Sequence, residues 1–144
     1  MRTAALSILL FLLVPLSSSM ADEDRALEKL MNIVTALQEI GDVMIGEPVT
    51  GTIALGDTTV LQLTLSDEYM YSFYVWSDSY FNIMEFWLSD SRGEIHSIAD
   101  GDNASLAAYP DTTGRWTLSI LLHEGAYSDS ASYATAVFRS KRYL

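Results

Sequence analysis

Cysteine is missing from this chain of 144 residues, and histidine occurs only twice. The lack of cysteine excludes disulfide bonds, thiolate nucleophiles and zinc sites built from thiolates. His96 and His123 are the only histidine bases, and neither stands in a His-Glu-x-x-His zinc motif. A Gly-x-Ser-x-Gly nucleophile elbow is also absent. The sequence therefore indicates a protein that is not an enzyme and that is held together by side-chain packing alone.

Positive charge is scarce as well. Eight lysines and arginines stand against 19 aspartates and glutamates, which gives a net charge of −11 at pH 7. Such an excess of negative charge favours solubility and disfavours binding to nucleic acid or to an anionic membrane. We therefore expect no nucleic acid partner, and we interpret the acidity as a solubility feature, with cation binding as the alternative.

Residues 1–21 have the pattern of a cleaved signal peptide. Arg2 supplies positive charge, residues 4–16 form an apolar run, and Ser19-Met20-Ala21 is a small-x-small cleavage signature. The apolar run is shorter than the roughly 20 residues that cross a bilayer. We therefore expect a mature chain that begins at Asp22, lies in the periplasm or outside the cell, and does not remain inserted in the membrane. A retained N-terminal anchor is the alternative.

The segment that follows predicts one amphipathic helix over residues 22–41, with a linker up to residue 46. Apolar side chains recur there at helical spacing, with two more that widen the stripe: Leu27, Leu30, Met31, Val34 and Leu37, then Ile33 and Ile40. Gly41 is suited to the left-handed position that ends a helix. The apolar stripe is expected to lie either on the protein's own domain or on a partner.

From residue 49 the apolar period changes from helical to two. Strands are predicted at 49–55, 60–65, 69–76, 83–88, 94–99, 105–109, 116–122 and 133–138. Turn residues separate these segments at a spacing of roughly ten residues, which is typical of a sandwich or barrel. The predicted fold of residues 47–144 is therefore an all-β, antiparallel, jelly-roll-like β-sandwich of about eight strands, preceded by the one helix. Residues 69–76 are apolar on both faces, so this strand is expected to be central or covered by the helix.

Several short motifs occur in a fixed order along these strands: Thr50-Gly51-Thr52-Ile53, Tyr71-Ser72-Phe73-Tyr74-Val75, Asp90-x-x-Gly93, Gly114-Arg115-Trp116 and Tyr133-x-x-x-Val137. At these residues the chain resembles the bacterial pre-peptidase C-terminal domain family. The resemblance implies a jelly-roll-like sandwich that accompanies exported enzymes, commonly proteases, as an accessory or substrate-contacting module. It also implies a link to related collagen-binding modules, which bind calcium.

Two sets of side chains are candidates for binding. Calcium prefers oxygen ligands on acidic loops, which selects Asp90, Asp100, Asp102 and Asn103. Ordinary turn formation is the alternative explanation for these four residues.

Aromatic side chains that stack on a sugar or a peptide form the second set: Trp76, Tyr80, Trp87 and Tyr127. The alternative for the aromatics is packing beneath the N-terminal helix. The function predicted from the sequence is an exported, non-catalytic binding or accessory module that contacts a protein or a polymeric substrate. A calcium-stabilised carbohydrate- or matrix-binding protein is the alternative, and the oligomeric state stays open.

Overall fold

The computed structural model describes residues 22–78, 83–123 and 129–141, which form one helix and nine strands. Helix α1 covers residues 22–39. The strands are β1 (Val43–Met44), β2 (Val49–Ala54), β3 (Thr58–Leu65), β4 (Tyr69–Ser77), β5 (Met84–Ser89), β6 (Ile95–Gly101), β7 (Asn103–Ala108), β8 (Gly114–Leu122) and β9 (Ser130–Lys141). The predicted all-β fold with one N-terminal helix is confirmed, while the predicted signal peptide lies outside the described residues.

The strands form two antiparallel sheets. In the first, β9 pairs with β1 and β2 on one side and with β4 on the other, and β7 follows β4. In the second, the order is β3, β8, β5 and β6. The two sheets meet across a shared core, and β6 also lies against β7 at one corner. Within the described residues, no helix is long and apolar enough to cross a membrane.

The core lies between the sheets because alternate side chains of each strand point inward. Its largest fully buried members include Phe73 of β4, Phe86 of β5 and Leu118 of β8. The predicted period of two therefore matches the observed alternation of buried and partly exposed residues along β4 and β5. No cysteine is present, so this packing is not reinforced by a disulfide.

Helix α1 lies on the outer face of the five-stranded sheet. Leu30 and Val34 are completely buried, and they pack in one cluster with Ala134, Ala136 and Phe138 of β9. The two alanines leave room for the helix to approach the sheet closely. Of the two placements that the sequence left open, the helix takes the one on its own domain.

The buried stripe of α1 is narrower than the sequence predicts. Ala26 is buried at a position the prediction omitted, whereas Met31 and Ile40 are 37% and 76% exposed. Ile40 lies just beyond the end of the helix, in the turn that leads to β1. Met31 points away from the sheet because the contact is made by residues spaced four apart, which run along one narrow line of the helix.

Gly41 ends the helix as the sequence predicts. Its φ angle is 96°, in the left-handed region that favours glycine. The Gly41 N–H donates to the carbonyl oxygen of Gln38 at 3.2 Å, and the Asp42 N–H donates to that of Leu37 at 3.1 Å. These two bonds form a Schellman motif, which satisfies carbonyl groups at the end of the helix.

Strand β4 is central in its sheet, between β9 and β7, as its two apolar faces predict. Tyr71, Phe73 and Val75 point into the core between the sheets, and Tyr74 and Trp76 pack with the cluster beneath α1. The prediction of a central strand covered by the helix is therefore confirmed.

A close contact joins two of the motifs noted in the sequence. Gly51 of β2 lies directly opposite Tyr133 of β9 in the antiparallel ladder. A Cβ atom on residue 51 would stand 2.5 Å from the hydroxyl oxygen of Tyr133 and 2.7 Å from its Cζ atom. The tyrosine ring therefore occupies the space where a side chain at position 51 would lie, so this ring position requires glycine at residue 51.

Candidate functional site

The turn between β5 and β6 is built around Asp90. Its Oδ1 atom accepts hydrogen bonds from the N–H groups of Arg92 at 2.9 Å and Glu94 at 3.1 Å. The chain reverses at Gly93, whose φ angle is 81°. The Asp90-x-x-Gly93 motif is thus a turn in which the aspartate side chain satisfies two backbone donors.

A β-bulge next to this turn sets the position of His96. The register between β5 and β6 shifts between Leu88 and Ser89: Leu88 pairs with Ser97, but Ser89 pairs with Ile95. His96 is therefore the extra residue of the bulge and has no partner position on β5. The imidazole of His96 lies against the indole of Trp116 of β8, with ring centroids 4.6 Å apart. Its Nε2 atom is 2.9 Å from the Oδ2 atom of Asp90. Because an ionised carboxylate only accepts, His96 is the donor in this bond.

These residues line a small pocket at one end of the sandwich, which we call the hairpin pocket. It is formed by Asp90, Ser91, Arg92, His96, Tyr109, Asp111, Thr112, Gly114 and Trp116. The pocket brings together the Asp-x-x-Gly turn and the Gly-x-aromatic strand start, which lie far apart in the sequence. Its volume of about 40 Å³ is far below the several hundred Å³ of a typical ligand site.

The chemistry available in the hairpin pocket is limited. Among the described residues, the hydrogen-bond partner of the His96 side chain is Asp90, and no serine or threonine hydroxyl is hydrogen-bonded to the imidazole. Three potential metal ligands lie close together there: one ligand atom from each of Asp90, Glu94 and His96, all within 4.8 Å of one another. A divalent cation could bridge this spacing. Arg92 already provides positive charge, with its Nη2 atom 3.4 Å from Asp90 Oδ2 and 3.8 Å from Glu94 Oε2.

The hydrogen bond from His96 and those from the backbone N–H groups of Arg92 and Glu94 lower the pKa of Asp90 from 3.8 to about 2, against the opposing effect of burial. The Asp90 side chain is only 10% exposed. Since the depressed pKa belongs to the folded state, ionised Asp90 stabilises the fold above about pH 4. This stabilisation is lost as the pH falls from about 4 to about 2.

We therefore expect Asp90→Asn to be less stable than the wild type at neutral pH, by a margin that shrinks as the pH falls from about 4 to about 2. Urea denaturation at a series of pH values measures this margin. His96→Phe is the companion variant, since it keeps a ring against Trp116 but removes the bond to Asp90. It should raise the pKa of Asp90 in a carbon-13 titration. A margin that stays the same at pH 2.5 and pH 6 would contradict the assignment.

The four residues predicted to bind calcium are not brought together. Asp90 lies at one end of β6, and Asp100, Asp102 and Asn103 lie at the other, a strand length of about 20 Å away. Asp102 Oδ1 accepts a hydrogen bond from Asn103 Nδ2 at 3.1 Å. Asp90 instead joins Glu94 and His96, which the sequence prediction left out. Calcium binding therefore stays a prediction that rests on the three residues at the β6–β7 turn.

The two described tryptophans proposed for binding lie on opposite faces of the molecule. Trp76 is half-buried on the outer face of the five-stranded sheet, within the cluster under α1. Trp87 is half-buried on the outer face of the four-stranded sheet, where it pairs with Ile98 and Ser119. Tyr80 and Tyr127 lie outside the described residues. Packing beneath the helix therefore accounts for Trp76, and Trp87 belongs to a different surface.

We call the outer face of the four-stranded sheet the free face, because no described element covers it. Its apolar side chains come from all four strands: Val60 of β3, Leu121 of β8, Trp87 of β5, and Ile95 and Ile98 of β6. Val60, Ile95 and Ile98 are 57%, 52% and 65% exposed. Exposed apolar side chains grouped in this way make the free face a candidate contact surface.

One row crosses the whole free face in register. Val60 pairs with Ser119, Ser119 pairs with Trp87, and Trp87 pairs with Ile98. Ser119 is only 5% exposed although it faces outward, since the larger neighbours close over it. The next row toward one end carries two acids, Glu85 and Asp100, so the apolar row has an acidic border.

This architecture defines a two-sheet antiparallel β-sandwich with a helix on one face and a second face that no described element covers. No protein-family model matches the chain, and no curated protein matches it. Solved structures do match it, at low sequence identity.

One similar structure is PliG of Aeromonas hydrophila, a periplasmic lysozyme inhibitor of g-type lysozyme. It is 13% identical, with a TM-score of 0.55, and the match covers 70% of this chain and 90% of that protein. Another is the Yersinia pseudotuberculosis-derived mitogen, at 15% identity and a TM-score of 0.50, with 71% and 92% covered. The pre-peptidase C-terminal domain of a Bacillus anthracis collagenase is 18% identical, with 65% and 89% covered and a TM-score of 0.48. At these identities the likeness is one of fold.

Proposed function

We propose that this chain is an exported, non-catalytic binding module that contacts a protein partner through its free face. The observation that carries this proposal is the apolar row of Val60, Trp87 and Ile98 on a sheet face that no described element covers. Exposed Ile and Val side chains around a half-buried Trp are suited to the centre of a protein interface.

Three further observations support the proposal. The described pocket that holds a His–Asp pair is too small for a typical substrate. The periplasmic inhibitor from Aeromonas hydrophila has a similar fold, and its described partner is a protein, a g-type lysozyme. The net charge of −11 and the acids Glu85 and Asp100 beside the apolar row favour a partner with a basic rim around its contact surface.

Membership of the pre-peptidase C-terminal type is part of the same proposal. The motifs behind that resemblance occupy positions where each has a structural use. Asp90 and Gly93 form the β5–β6 turn, and Gly51 accommodates the ring of Tyr133. These are positions that a shared fold would require, so they support a common architecture more strongly than a common partner.

Site-specific photo-crosslinking tests the proposal. A benzophenone amino acid at position 98 of the mature chain, exposed to the secreted or periplasmic proteins of the producing cell, is expected to give a discrete protein adduct. The same probe at position 31, on the exposed side of α1, is the control. Once the adduct is identified, Ile98→Asp should weaken the purified complex by about tenfold or more, since it places a charge in an apolar contact.

The matched control for that variant is Ile40→Asp, which makes the same change at an exposed isoleucine on the other side of the molecule. Thermal melts should show that both variants are as stable as the wild type. Equal adducts from positions 31 and 98, or equal affinity of both aspartate variants, would refute the free face as the contact surface.

A further inference from the structure

Strand β3 forms one edge of the four-stranded sheet, and no described strand pairs with its outer side. It runs over eight residues in unbroken register with β8, from Thr58 opposite Leu121 to Leu65 opposite Gly114. Its sequence, Thr-Thr-Val-Leu-Gln-Leu-Thr-Leu, contains no charge, no proline and no glycine. It is therefore a long, regular and neutral edge in a strongly acidic protein.

The other described sheet edges each carry a feature that obstructs pairing with another strand. Strand β6 carries His96 and Asp100 and lies next to a bulge. Strand β7 is shorter and lies against β6 at the corner of the sandwich. Strand β1 has two residues, and β2 follows Pro48. Natural sheets use short strands, charges, prolines, bulges and covering elements to protect their edges.

Within the part of the chain that the structure describes, strand β3 has none of these protections. In an antiparallel edge strand, alternate backbone N–H and C=O groups point away from the neighbouring strand and are available to another chain. We propose that β3 is a strand-addition site, which binds an extended segment of a partner protein as a fifth strand of this sheet. The inference rests on the proposed protein-binding function and adds to it the mode of recognition.

Charge at the two ends of β3 indicates the chemistry of that segment. Asp57 directly precedes the strand, and Asp67 and Glu68 follow it closely; all three are exposed. Arg115, the one basic residue of β8, pairs with Thr64. Acids at both ends around a neutral centre match a segment with a β-branched, uncharged centre and lysine or arginine at each end.

A second copy of this chain fits the site less well. Antiparallel pairing of two β3 strands about a two-fold axis would place Asp57 of one copy beside Asp67 and Glu68 of the other, at both ends. Each copy also carries a net charge of −11. Like charges would therefore oppose self-association at this edge, whereas they attract a basic segment.

The test uses the full mature chain and a synthetic peptide, Lys-Thr-Val-Thr-Val-Thr-Val-Thr-Lys, with capped ends. Fluorescence anisotropy should show saturable binding. N-methylation of alternate peptide amides, which leaves the side chains unchanged, should weaken binding by about tenfold or more because the ladder hydrogen bonds are lost. Amide exchange should show fast-exchanging sites within residues 58–65 of the free protein, and slower exchange at these sites when the peptide is bound.

Charge variants test the chemistry of the ends. The double variant Asp57→Asn with Glu68→Gln should bind the peptide about fivefold more weakly at low salt, as expected for two lost surface attractions. The double variant Asp24→Asn with Glu39→Gln makes the same charge change on α1 and should bind as the wild type does. Equal weakening by both double variants would mean that net charge alone attracts the peptide, and would overturn the inference.

Three other results would overturn it: equal binding of the N-methylated peptide, uniformly slow exchange of residues 58–65 in the free protein, or a dimer in sedimentation that the peptide dissociates. None of these results would contradict the proposed function, because that function is tested at Ile98 on β6, at the opposite edge of the sheet. If the probe at position 98 gave no adduct while the peptide still bound, the free face would be refuted as the contact surface and the strand-addition site would stand.

Discussion

Leu30→Ala is expected to lower the free energy of unfolding by about 3 kcal/mol, since it leaves a cavity between α1 and the five-stranded sheet. Leu30 is completely buried against a cluster that includes Phe138 and Ala134 of β9. The effect can be measured by urea denaturation, followed both by circular dichroism and by tryptophan fluorescence. Trp76 belongs to the same cluster and should report the loss of helix packing.

Met31→Ala is the matched control for this experiment. Met31 is the next residue on the same helix, is 37% exposed and has the same kind of large apolar side chain. The substitution should lower the free energy of unfolding by well under 1 kcal/mol, as is usual for surface substitutions. If the two variants lost equal stability, or neither lost any, the helix would not be docked on its own domain in solution.

Gly51→Ala is the second substitution with a large expected effect, of about 2 kcal/mol, because its Cβ would overlap the ring of Tyr133. The backbone at Gly51 does not have a positive φ angle, so the cost comes from the collision alone. The sign should reverse in a Tyr133→Ala background. There the space is empty, and alanine loses less conformational entropy than glycine on folding.

The double-mutant cycle of these two substitutions therefore provides its own control. Urea denaturation of Gly51→Ala, Tyr133→Ala and the double variant gives the coupling free energy directly. We expect the double variant to be at least as stable as Tyr133→Ala alone. A cost for Gly51→Ala that is the same in both backgrounds would show that the tyrosine ring does not constrain residue 51.

The sequence predicted the elements whose signal is local. The period of the apolar residues located α1 and eight of the nine described strands, and Gly41 marked the end of the helix. Strand β1 was not predicted. It has two residues, Val43 and Met44, and exists because β9 lies beside it. A pairing of that length has no periodicity of its own, so only the folded chain reveals it.

The candidate sites depended on long-range geometry and were predicted less completely. The Asp90 turn could be predicted from its motif, but its bond to His96 could not, because the bulge beside it changes the register of β6. Trp76 and Trp87 look equivalent in sequence. Their separation follows from the assignment of β4 and β5 to different sheets, which the alternation of apolar residues does not determine.

The position of β9 constrains when the protein can fold. This strand, which begins at Ser130, joins β4 to both β1 and β2, so the five-stranded sheet lacks its centre until residues 130–141 are available. Contacts so distant along the chain delay the assembly of this sheet until β9 is available. The surface on which α1 packs is therefore completed only when β9 has joined β4.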